Sequence, residues 1–211
     1  NKPIKKDSVV SQIVKSDIDN VLEVHVSESH RLLKELMSKL YKRNPRELKK
    51  SSYKMAEENI VRLFDLEHTW DFPELAGTHD IESIGLVFNE EYQGDRVFVF
   101  VSGLVSMIMK SYNYKSKFYM TDSVDPQKLY NVARNLEIAA WKLNNDRDLQ
   151  GNLFLMSNSL PNEEIRNLSY ERIFGKLIAT QDNIAIIIAG KKNRAIKTVI
   201  QRMATAIFLP I

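Results

Sequence analysis

The sequence predicts a mainly α-helical fold, a helical bundle around a buried central helix, and three observations carry that reading. Residues 97–109, VFVFVSGLVSMIM, run thirteen positions without a charge, broken only by Ser102, Gly103 and Ser106. A bilayer span needs about 20 such residues, so the run has to be wrapped by the rest of the chain. Elsewhere apolar residues recur at spacings of three and four, the period of an amphipathic helix. Only 7 Gly and 6 Pro in 211 residues leave little material for the many tight turns of a sandwich or barrel. Hydrophobic content of 44% and charged content of 27% are ordinary for a globular chain, and the length suffices to bury one full core.

The elements follow in order. The chain opens at Asn1 rather than Met, as expected of a processed product, and residues 1–7 are polar and basic. They read as a tether, and 8–211 as a single helical domain. Asp7 or Ser8 is placed to cap a long helix with an apolar stripe through Val10, Ile13, Val14, Val21, Leu22, Leu32, Leu33, Leu36, Met37, Leu40 and Tyr41. The stripe thins between Val24 and His30, where a bend or exposure is expected. Asn44-Pro45 stops the helix. Asn44 can cap a short new one, with Pro45 at its first position, where a missing N–H costs nothing. Residues 53–66 form an amphipathic helix through Met55, Ile60, Leu63 and Phe64. Residues 68–79 read as a loop pinned by Trp70 and Phe72, and 81–92 as a short helix.

Gly94-Asp95 opens the central element, expected over about 95–111. VFVFV is strand-like in propensity, but the run is too long for a typical strand, and length favours helix. On a helix Ser102, Gly103 and Ser106 make a thin strip that a neighbouring backbone can approach closely. The apolar runs near 117–121 and 153–157 could pair as a small two-stranded sheet. Asp125 and Pro126 start a helix carrying Leu129, Val132, Ala133, Leu136, Ala139, Ala140 and Leu143. Two helices close the chain: 170–189, broken near Gly190, and 192–208, amphipathic through Ile196, Val199, Ile200, Met203, Ile207 and Phe208 and expected to dock on the core.

The absence of Cys excludes disulfides, thiolate metal sites and a Cys nucleophile. The net charge of +3 hides a segregation. Lys39, Lys42, Arg43, Arg46, Lys49, Lys50 and Lys54 face only Glu47, and a long acidic stretch from Glu57 to Asp95 faces only Arg62. Such a basic turn can meet anionic headgroups or phosphates, or pair with the acidic stretch within the fold. Nothing resembling a helix-turn-helix, a zinc ligand set or an RNP motif accompanies it, so no nucleic acid is expected.

Chemistry is sparse. His25 and Glu28 share a helical face, but His30 points elsewhere, and the spacings of zinc proteases and di-iron bundles are absent. No metal and no cofactor are expected, and His68 and His79 read as exposed or satisfied structural histidines. Asp122 and Asp125 precede a helix, where carboxylates cap more often than they catalyse. Nucleophile-elbow, Walker and dinucleotide-binding glycine patterns are all missing. The most unusual polar positions lie in LYNVARNLEIAAWKL: Tyr130, Asn131, Arg134, Asn135, Glu137 and Trp141. Arg134 and Glu137 are spaced to pair. The group reads either as a part-buried polar network or as a groove for a ligand or partner, formed by Tyr130, Asn131, Arg134, Glu137 and Trp141.

LYKRNPREL (40–48), KLYNVARNLEIAAWKL (128–143) and FGKLIA (174–179) resemble motifs of an uncharacterised family of proteobacterial lipoproteins. The resemblance implies a precursor with a lipoprotein signal and a lipidated cysteine upstream, and a mature domain tethered to a bacterial membrane in the periplasm. It brings no catalytic residues. The expectation is therefore a non-catalytic binding or envelope-associated module. Its partner would be an envelope protein or an anionic membrane surface, met through the groove or the basic surface of Lys39, Lys42, Arg43, Arg46, Lys49 and Lys50. The alternatives are a hydrolase using Asp122, Asp125 or Glu137, and a carrier with an apolar cavity beside 97–109.

Overall fold

The computed structural model describes residues 16–119, 122–158, 167–193, 195–199 and 203–211. Helix α1, Asp17–Arg43, runs unbroken, with Val24 exposed where the apolar stripe thins. Ser16 begins it: its amide and hydroxyl both donate to Asp19 Oδ2, at 2.7 and 2.8 Å. The caps expected at Asp7 or Ser8, and the stripe at Val10, Ile13 and Val14, lie outside the described residues. Helix α2, Pro45–Lys50, follows without a turn between. Asn44 starts it, but its side chain does not cap it and is used elsewhere. Helix α3, Ala56–Phe64, is shorter than the sequence suggests, because Tyr53 and Met55 are exposed.

The loop that follows is pinned as expected. Phe72 is buried edge-on against Phe98, and His68 lies between Trp70 and Phe72. Helix α4, Asp80–Leu86, ends six residues earlier than the apolar pattern suggests. The following turn is held by buried Arg96, which donates to the carbonyls of Val87, Asn89 and Tyr92. Helix α5, Arg96–Ser111, is the central element, and every one of its residues except Lys110 is buried. Asp95 caps it by accepting from the amides of Val97 and Phe98, both at 3.0 Å. The thin strip receives α4. A methyl group on Gly103 would sit 2.8 Å from Ile84 Cγ1 and 2.9 Å from the Asp80 carbonyl. Ser106 Oγ accepts from the Asp80 amide at 3.1 Å.

Helix α6, Pro126–Asn145, is capped by Asp125, and helix α7, Ser169–Lys192, packs along it. Gly190 does not break α7; Asn193, at φ 49°, ends it in the left-handed region that Asn tolerates. By length and composition α7 could cross a membrane. Here its inner stripe, including Tyr170, Ile173, Phe174, Leu177, Ile184 and Ile188, is buried in the bundle, where it packs on α1 and α6. The core thus lies between α1, α5, α6 and α7, with α3 and α4 closing its sides.

Two further expectations fail. No sheet joins 117–121 to 153–157 among the described residues; there is only an isolated bridge, Arg147 with Leu153. The Phe118 amide donates to Glu23, and the backbone of Met156 is claimed by Asn44 at both its amide (2.7 Å) and its carbonyl (2.9 Å). Nor do the described residues among 192–208 form the expected helix. After Asn193 the described chain is irregular apart from a single 3-10 turn, Met203–Thr205. Its backbone groups are taken by side chains of α6 instead. The docking on the core survives in part: Ile196, Phe208 and Ile211 pack against it, while Ile207 is exposed.

Candidate functional site

The polar positions expected to act together along 130–141 are divided by the structure among three tasks. At the start of α6, they hold the C-terminal segment. Gln127 pairs with both backbone groups of Lys197, accepting from its amide at 2.8 Å and donating to its carbonyl at 3.1 Å. Asn135 does the same for Leu209, at 2.6 and 2.9 Å. Between them Asn131 accepts from Gln127 and donates to the Pro210 carbonyl. The Tyr130 hydroxyl accepts from the Val199 amide. The segment therefore leaves past Gln127 and Tyr130 and returns past Asn135 and Asn131, forming a strap laid over α6. Tyr130 and Asn131 face this strap, not an open groove.

Arg134 carries the second task. It donates to Asp182 of α7 at 2.6 Å and lies 3.1 Å from Glu137, with its guanidinium over the Tyr130 ring. Burial pushes the Glu137 carboxyl up, Arg134 opposes that, and Asp182 adds to it. Burial also raises Asp182, against the pull of Arg134. One cation shared by two part-buried carboxylates is the polar network that the spacing foretold, with Asp182 as a member the sequence did not reveal.

The third task is a groove. Beyond Glu137 the diverging ends of α6 and α7 enclose an open cleft of about 610 Å³, within the range of small-molecule sites. Its wall includes Glu137, Trp141 and Asn144 from α6, Glu171 and Phe174 from α7, and Asn158 from the connection between them. Glu171 Oε1 accepts from Asn144 at 2.8 Å and from Asn158 at 2.6 Å. Ser157 donates to Asn144 Oδ1 at 2.8 Å, fixing that amide's orientation. Asn158 is 7% exposed, and its Oδ1 has no hydrogen-bond partner among the described residues. Native interiors rarely leave such an atom unpaired. The loop-borne Asn158 and the distant Glu171 are the groove residues that sequence reasoning missed, and no local spacing signals them.

The other candidate residues are dispersed. Asp122 pairs with Lys115, whose hydrogen bond holds its carboxyl below the usual range, and Asp125 is a helix cap. Neither lies in the cleft with Glu137. Among the described residues, the principal clefts are lined by none of residues 97–109. His25 bonds the Val21 carbonyl, Glu28 pairs with Arg31, and His30, lowered by burial, lies edge-on to Phe64. His68 bonds the Leu63 carbonyl, and exposed His79 lies 3.9 Å from Asp71. In the basic turn Lys50 pairs with Glu47, and Lys39 reaches Ser169. Arg43 is part-buried, whereas Lys42, Arg46 and Lys49 are exposed without an ion pair among the described residues. Three acids of the acidic stretch are ion-paired internally, through Arg62–Glu74, Lys34–Asp65 and Lys110–Asp80.

No protein-family model, curated protein or solved structure matches the chain.

Proposed function

We propose that this protein is a non-catalytic binding module of the cell envelope, taking its ligand in the cleft between α6 and α7. The observation that carries the reading is the buried Asn158 Oδ1, unpartnered among the described residues, in the wall of a ligand-sized cleft that also presents Trp141 and Ile178. Binding sites combine such apolar and aromatic walls with a few fixed polar groups. The non-catalytic part rests on the dispersal of Asp122, Asp125 and Glu137. The second carboxylate that does line the cleft, Glu171, has its Oε1 held by the amides of Asn144 and Asn158, and Glu137 is paired with Arg134, so both are engaged within the protein.

Gly175 lies in the cleft wall, and a side chain there would meet nothing within 4 Å. Gly175→Phe should therefore fill the cleft without strain. A fragment library screened by ¹⁵N–¹H NMR should shift amides around residues 137–145 and 171–178 in the wild type and not in the variant. Shifts confined to other surfaces would overturn the assignment.

The envelope placement rests on the resemblance of 40–48, 128–143 and 174–179 to the lipoprotein family. The exposed Lys42, Arg46 and Lys49 suit an anionic membrane face, at about 1 kcal/mol per residue near such a surface. Labelling of the full-length protein with radioactive palmitate in a bacterial host should mark it. A full-length protein that takes no label and fractionates away from membranes would sink this placement.

A further inference from the structure

Resting on the assignment of the α6–α7 cleft as a binding site, we infer that its ligand is an organic cation bearing a primary ammonium group. The charged side chains among the described lining residues are Glu137 and Glu171, both anionic. Each uses Oε1 within the protein, toward Arg134 and toward the two asparagine amides, and Oε2 of each accepts from no described residue. The buried polar atom left unpaired, Asn158 Oδ1, is also an acceptor. Its orientation is fixed, because Asn158 Nδ2 is committed to Glu171. The groups awaiting a partner thus call for N–H donors and positive charge. An ammonium carries three donors and no acceptor, and Trp141 adds an aromatic face of the kind that attracts cations. Ile178, part-buried in the same wall, offers surface to the alkyl stem of such an amine. An anion would meet two carboxylates, and a neutral polyol would leave Glu171, which has no cation among the described residues, uncompensated.

The test compares three five-carbon probes of similar length: 1,5-diaminopentane, 1,5-pentanediol and glutarate, titrated into the full chain at pH 7 and followed by ¹⁵N–¹H NMR. The diamine should shift amides near 141, 158, 171 and 174 saturably, and the diol and glutarate should not. Glu171→Gln keeps the acceptor that Asn144 and Asn158 use, and Glu137→Gln keeps the acceptor for Arg134. Each should melt near the wild type and bind the diamine roughly tenfold more weakly, the loss expected for a hydrogen bond to a charged group. If the diol or glutarate binds the cleft as well as the diamine does, the cation assignment is overturned while the cleft remains a binding site. If all three leave the cleft amides unmoved, yet library fragments move them, the same conclusion holds. If nothing moves them, both readings fall. Diamine shifts that survive both Gln variants unchanged would also refute the cation assignment.

Discussion

Asp95 should make the protein less stable as the pH rises, and replacing it with Asn should remove that dependence. The carboxyl is fully buried at the head of α5, where it accepts from two amides and from the Tyr41 hydroxyl at 2.7 Å. Burial raises it from its ordinary 3.8 to about 6, the three hydrogen bonds oppose the rise, and nearby Glu47 adds to it. A carboxyl whose folded value is raised binds its proton more tightly when folded. Its ionisation therefore costs nothing below about pH 4, costs more from there to about pH 6, and reaches its full cost above. A displacement from 3.8 to about 6 is worth about 3 kcal/mol at roughly 1.4 kcal/mol per pH unit. Asp95→Asn keeps an oxygen for the Val97 and Phe98 amides, and Asn caps as well as Asp. It leaves the Tyr41 proton without an acceptor, a loss of about 1 kcal/mol. Urea unfolding of both proteins at pH 4, 5, 6 and 7 is the assay. Carboxylates that do not face Asp95 cancel in the difference; Glu47, which does, is relieved of its neighbour's charge in the variant, a change of the same sign. The variant should gain about 3 kcal/mol on the wild type between pH 4 and pH 7 and end about 2 kcal/mol more stable. Asp95→Ala, which strips the cap, should be the less stable variant at every pH. A difference between Asp95→Asn and wild type that does not change with pH would refute the reasoning.

Gly103→Ala should cost about 1–3 kcal/mol in the same assay, because the new methyl meets, besides Ile84 Cγ1, the α4 backbone at the Asp80 carbonyl and the Ile84 amide, which cannot swing away. Arg134→Leu should destabilise by on the order of 1–2 kcal/mol at pH 7, leaving Glu137 and Asp182 without their cation. That loss should shrink at pH 4, where both raised carboxyls take up protons, so an unchanged melting temperature at pH 7 would reject the structural role. Asn135→Leu removes both bonds to Leu209, about 2 kcal/mol together; faster hydrogen exchange at the Leu209 amide, with α5 unaffected, would show release of the strap. Reversing Lys42, Arg46 and Lys49 to Glu should abolish cosedimentation with anionic vesicles, and equal sedimentation of the variant would deny the basic turn a membrane role.

The parts of this fold that the sequence disclosed are those decided within a few residues. An uncharged run of thirteen residues has one fate in a soluble chain, and Asp95 before it is a cap by position. Gly103 and Ser106 one turn apart announced a close neighbour, and α4 is there. Arg134 and Glu137 were spaced to meet and do. What stayed hidden depends on partners far along the chain. Asp182 completes the Arg134 network from 48 residues away, and Asn144 meets Glu171 from 27. The period of residues 192–208 suits a helix, yet helix periodicity records only which positions face the core. Ile196 and Phe208 reach the core from an irregular segment equally well. Only the side chains of another helix decide which backbone conformation delivers them.

Those side chains follow one rule that also accounts for two of the departures from the sequence reading, the missing sheet and the missing C-terminal helix. Asn44 holds the amide and carbonyl of Met156, Gln127 those of Lys197, and Asn135 those of Leu209. A primary amide offers one donor and one acceptor side by side, so it completes both backbone groups of a residue as a β-ladder neighbour would. Where it does so, the segment needs neither a strand partner nor its own helix to escape the cost of unpaired backbone. The expected sheet near 153–157 is absent because Asn44 substitutes for a strand, and the expected C-terminal helix is absent because Gln127 and Asn135 substitute for helical bonds. Two of these amides lie on α6, together with Glu137 and Trp141 of the cleft, and the strap they hold carries Met203 into the cleft wall. The strap and the binding cleft therefore share one helix and one wall. Loss of the Asn135 bonds should reach the cleft: Asn135→Leu should weaken diamine binding though it touches no part of the site, whereas Asn44→Leu, at the junction of α1 and α2 and bonded through its side chain, among the described residues, to Met156 and Leu40, should act on the cleft solely through the 153–158 connection. Diamine affinity that ignores Asn135 would mean the strap is fastened independently of the site.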